Sequence, residues 1–154
     1  MKSAFKFTLI LVLILGCKHN SSQPLGNDID SIQNKLVGEW VDKSDPKNVS
    51  LIFNRSKHAI IVIDNQAIGG ENYIGEDGEK AECKYEVDDN QKPMSLDLVF
   101  YELGTNKEKG RIEGVFRFLT DNKIEFRMGF DGTIPTSFDP DDKQGTVILD
   151  KKGN

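Results

Sequence analysis

The sequence predicts an all-β fold: an antiparallel up-and-down β-barrel of about eight strands behind a short N-terminal helix. Three observations carry this expectation. From Gly38 onward the apolar residues recur with a period of two. Short polar turns such as Thr120-Asp121-Asn122 separate the runs. Seven phenylalanines and Trp40, all beyond residue 16, supply an interior for the sheet to close upon.

The elements follow in chain order. Asp28 to Leu36 reads as a helix, because Ile29, Ile32 and Leu36 share one face and Asp28 or Ser31 can cap its start. Strands are expected at Gly38–Val41, Val49–Asn54, Ala59–Asp64, Lys80–Val87, Ser95–Leu103, Arg111–Leu119, Lys123–Phe130 and Thr146–Asp150. In the second half one face carries Leu96, Leu98 and Phe100, then Ile112, Gly114, Phe116 and Phe118, then Ile124, Phe126, Met128 and Phe130. The other face carries Asp97, Glu113, Arg117, Glu125 and Arg127. One wet and one dry face per strand is what a meander needs, and closing it into a barrel satisfies both edges. Asn65 to Glu79, with four glycines, reads as a loop with at most a short strand around Tyr73.

Ahead of the domain stands a different kind of segment. Lys2 and Lys6 flank an apolar run from Phe7 to Leu15 that is far shorter than the ~20 residues a spanning helix requires. The run ends at Ile14-Leu15-Gly16-Cys17, which resembles the lipobox of bacterial lipoproteins. The resemblance implies cleavage between Gly16 and Cys17, a diacylglycerol thioether on Cys17, and a further acyl chain on the new amino terminus. Two or three chains anchor stably, whereas one binds marginally. The implied division is a signal peptide over 1–16, a lipidated cysteine and flexible polar tether over 17–27, and the barrel domain over 28–154. The expected location is the bacterial cell envelope, and the outer membrane where the cell has two, since Lys18 stands where an inner-membrane retention signal would carry aspartate.

Without residues 1–16 the chain keeps 18 basic residues against all 25 acids, a formal charge of −7. That excludes a nucleic-acid partner, which needs a basic face, and argues against an added electrostatic hold on anionic lipid. Cys83 lies in an alternating run with Ala81, Tyr85 and Val87, so it is expected to face inward as a small hydrophobe.

Short helix, Gly38-Glu39-Trp40 on the first strand and a β-meander together resemble the calycin superfamily, which includes the lipocalins. The resemblance implies that Gly38 and Trp40 form a barrel-closing motif, with Trp40 beneath the helix and Lys151 of the last strand against it. A family of uncharacterised bacterial lipocalin-like domains is similar over residues 36–151. The likeness rests on Leu36-Val37-Gly38-Glu39-Trp40, Ser95-Leu96-Asp97-Leu98, Arg111-Ile112-Glu113-Gly114-Val115-Phe116, Pro135-Thr136-Ser137-Phe138 and Thr146-Val147-Ile148-Leu149. It implies a fold and transfers no activity.

No catalytic residue, cofactor site or metal site is expected. His19 lies in the tether, and His58 reads as an exposed loop histidine with no ligand partner at metal spacing. The chain has no nucleophile-elbow or phosphate-loop motif. Asp139-Pro140-Asp141-Asp142-Lys143 departs from a calcium loop and reads as an acidic turn, and Asp88-Asp89 as a strand end. Two functions remain. A small apolar or amphipathic ligand could enter the barrel, lined by Phe53, Tyr85, Phe100, Phe116 and Phe126; most of these rings are expected simply to fill it, since eight strands leave an interior that side chains can pack completely. Alternatively a filled barrel acts as an interaction or inhibitor protein, meeting an envelope partner through the loops Ile68–Glu79 and Asp131–Gln144.

Overall fold

In the computed structural model, residues 32–44, 49–75, 77–129, 132–138 and 145–153 are described. The expected signal, Cys17, the tether, the first part of the expected helix, Phe130 and the Asp139–Lys143 run lie outside them. A short helix, α1, covers 32–36. Then come β1 (Gly38–Val41), β2 (Val49–Phe53), β3 (Ala59–Ile63), β4 (Gln66–Gly69), β5 (Tyr73–Ile74) and β6 (Lys80–Asp88). β7 (Met94–Glu102), β8 (Glu108–Ile112), β9 (Gly114–Thr120), β10 (Lys123–Met128) and β11 (Thr146–Lys151) complete the chain.

All pairings are antiparallel and form one sheet in the order β4-β3-β2-β1-β11-β10-β9-β7-β6-β5, with β8 on β7. First and last strands are neighbours, with Trp40 opposite Lys151. Where the sheet's two ends meet, the Tyr85 N–H donates to Lys57 O at 3.0 Å and His58 bridges Lys84. The sheet is a nearly closed barrel, and the all-β expectation holds.

Among the described residues the strand count differs, eleven segments against about eight, for two reasons. β8 and β9 pair with β7 in one continuous register, Leu98 with Ile112 and Met94 with Phe116, and are parted only at Glu113. They make one bent wall, as the Arg111–Leu119 expectation had it. The other addition is β4 with β5, inserted at the seam. Asp64 and Asn65 both take positive φ (50° and 65°), the two-residue hairpin geometry whose twist matches its strands, and this returns the chain along β3. The short strand expected at Tyr73 is β5; β4 was expected as loop.

At the seam Gly69 sits at φ +102°, and a Cβ there would meet Ala59 O at 2.6 Å and Cys83 Cβ at 2.9 Å. Only glycine lets the chain slip between β3 and β6. Inside, Trp40, Phe53, Phe116, Phe126, Leu36, Leu51, Leu96, Leu98, Ile124 and Leu149 are fully buried. Each such side chain contributes about 1.5–3 kcal/mol. Cys83 is among the buried residues, where desolvation pushes its thiol up to about 12 and leaves it inert at neutral pH.

Candidate functional site

The two ends of the barrel are built differently. At one end α1 lies across the opening. Trp40, inward on β1, donates its indole N–H to Leu36 O at 2.7 Å and so ties strand to helix. Phe118 packs against it, ring centres 6.3 Å apart. Lys151 lays its Nζ 5.1 Å from the Trp40 ring centre and donates to Lys35 O at 2.7 Å, closing an orphan carbonyl of the helix. Its stem crosses Gly38 (φ +133°), where a Cβ would stand 2.8 Å from Lys151 Cε. Burial lowers the Lys151 pKa. The structure thus brings Gly38, Trp40 and Lys151 into one plug.

At the other end the barrel has a mouth. A cleft of about 430 Å³ is lined by Ile68, Tyr73, Ala81, Phe100 and Gly110, with Asp77, Glu79 and Lys109 at its rim. Its origin is specific. Gly110 on β8 stands directly opposite Phe100 on β7, and opposed residues present their side chains on the same face. Where Phe100 projects a ring, Gly110 projects nothing, and a Cβ built there meets no atom within 4 Å. Tyr73 leans on Phe100, centroids 5.9 Å apart, to make an aromatic corner beside the gap. Clefts of a few hundred Å³ with apolar walls and a few polar groups are the usual form of small-ligand sites.

The rim is charged. Lys109 Nζ donates to Asp77 Oδ2 at 3.0 Å and to Glu79. Asp77 also accepts the Glu79 backbone N–H at 2.9 Å. That bond first, and the lysine second, hold the Asp77 carboxyl below the usual range.

The five expected lining aromatics divide unevenly. Phe53, Tyr85, Phe116 and Phe126 are core: the first two meet edge-to-face at 4.9 Å, and Phe116 packs on Phe118 at 5.6 Å. Phe100 lines the mouth.

His58 departs from expectation. It lies at the seam with its side chain only 12 % exposed, Nε2 2.9 Å from Glu82 Oε2 and Nδ1 3.4 Å from Glu71 Oε1. Ser56 Oγ stands 3.0 Å from Nδ1, so serine, imidazole and carboxylate are in line. Ser56, however, also faces Glu71 Oε1 at 3.1 Å and Asn54 Oδ1 at 2.9 Å. An oxyanion formed there would confront a carboxylate, the reverse of the donors acyl transfer needs. Lys84 holds the other Glu82 oxygen at 2.7 Å. The cluster is a polar latch joining the β2–β3 turn, β6 and the β4–β5 connection. Among the described residues no group of three or more His, Cys, Asp or Glu side chains is placed to hold a metal ion.

No protein-family model matches the chain. No curated protein matches it. No solved structure matches it.

Proposed function

We propose that the protein is a lipid-anchored envelope protein of calycin type whose barrel mouth binds a small apolar or amphipathic molecule. The anchor rests on the sequence from Lys2 to Cys17, and the calycin reading on the Gly38–Trp40–Lys151 plug beneath α1. The binding reading is carried by one observation, the gap that Gly110 leaves opposite Phe100. The interior behind it is packed, so the ligand sits in the mouth and not along the barrel axis.

Binding is tested with an environment-sensitive naphthalene probe titrated into the mature protein. Saturable fluorescence near one probe per chain, displaced by soluble alkyl compounds, is the expected result; a linear, non-competable rise is the opposing one. The anchor is tested on its own by mass spectrometry of the N-terminal peptide, where acyl mass on Cys17 is expected and an unmodified thiol would contradict it.

A further inference from the structure

We infer that the mouth selects organic cations: an amphiphile with a quaternary or primary ammonium head and a short apolar tail. This rests on the binding reading above and adds the charge of the ligand. Three features of the cleft converge on it. The rim holds two carboxylates, Asp77 and Glu79, against one ammonium, Lys109, so it carries a net negative charge beside an apolar floor. The walls next to that rim are two aromatic rings, Tyr73 and Phe100, and ring faces attract an ammonium once water is excluded. Finally, Lys109 comes from the strand that carries Gly110 and spans 77 to 79 at the lip. Lys109 already pairs with both carboxylates, so a cationic head would join an existing cation there. A ligand head would share them with Lys109 while its tail fills the space beside Phe100.

An anionic amphiphile would meet the opposite situation. Its head would have to displace two carboxylates from Lys109, whose paired ammonium is its sole attraction. A neutral tail gains the apolar contact and nothing at the rim. The order of affinity is therefore cation, then neutral, then anion.

The experiment uses the mature protein held in zwitterionic nanodiscs, with empty discs subtracted. Hexyltrimethylammonium, hexanol and hexanesulfonate, which share one tail and differ in head, compete against the naphthalene probe. Hexyltrimethylammonium is expected to displace it at a concentration about tenfold lower than hexanol, and hexanesulfonate to be weakest. In the double variant Asp77→Asn/Glu79→Gln, Lys109 is left without either partner carboxylate, and the order is expected to invert, with hexanesulfonate strongest. Equal potency of the three heads in the unaltered protein, or an unchanged order in the double variant, overturns the charge selection while leaving the cleft intact as a site. If no head competes, and Gly110→Leu leaves probe fluorescence unchanged, the cleft itself is not a site and both conclusions fall. Circular dichroism of each variant establishes that it is folded before its affinities are compared.

Discussion

The plugged end and the mouth use the same materials to opposite effect. Each sets a glycine beside aromatic rings, and each has a lysine close by. At the plug, Gly38 is the space through which Lys151 passes, so the glycine's emptiness is filled by another residue. At the mouth nothing takes the place that Gly110 leaves. Trp40 is fully enclosed with its N–H bonded, while Phe100 retains a solvent-facing side in the cleft. On the proposed reading, stability and binding are segregated along the barrel axis. Substitutions at one end should register in unfolding, and those at the other in ligand affinity.

The largest effect is expected from Trp40→Ala, which removes an enclosed ring and orphans Leu36 O. Denaturant unfolding should show a loss of about 3–5 kcal/mol. Comparable destabilisation from Phe100→Ala would erase the contrast between the ends. Next comes Gly38→Ala, which forces a side chain into φ +133° and against Lys151. A cost of about 1–3 kcal/mol is expected, read as a lowered denaturant midpoint with an unchanged slope. Affinity for the probe should not move.

A smaller effect concerns the seam between the two ends. The Glu82 carboxyl is held below its ordinary 4.5, first by Lys84 and then by His58. Its folded-state value is depressed, so its contribution is complete above that ordinary value and fades as pH falls through the folded one. Thermal midpoints should decline below pH 4.5, and Glu82→Gln should lower the plateau above that pH and flatten this acid limb. A limb as steep in the variant as in the parent would place the acid sensitivity elsewhere. The smallest stability effect is expected from Gly110→Leu: the site is open and its φ ordinary, so unfolding should shift by no more than ~0.5 kcal/mol.

Much of this was legible in the sequence, and the reasons are local. The strands from Lys80 to Met128 show because each has one dry face, and a period of two survives any turn chemistry. The plug was expected only through the calycin resemblance, which set Gly38 and Trp40 on the first strand and Lys151 on the last; the structure makes those strands neighbours. β4 was hidden because Asp64-Asn65 bends as an Asn-Gly turn would without its glycine. The His58 latch was hidden because its partners, Glu71 and Glu82, are distant in sequence and meet it only when the seam forms. Four of the five aromatics proposed as lining turned out to be core, as alternation identifies an inward face without saying how full the interior is. Gly110 was hidden most deeply: it fell between the expected strands ending at Leu103 and starting at Arg111, and its meaning lies in the register that sets it opposite Phe100.

That register supports the central claim most directly through one paired measurement, probe titration and thermal unfolding of Gly110→Leu beside the unaltered protein. A filled mouth should abolish saturable binding while the unfolding midpoint stays where it was. Undiminished binding in the variant, or binding lost only together with the fold, would contradict the account.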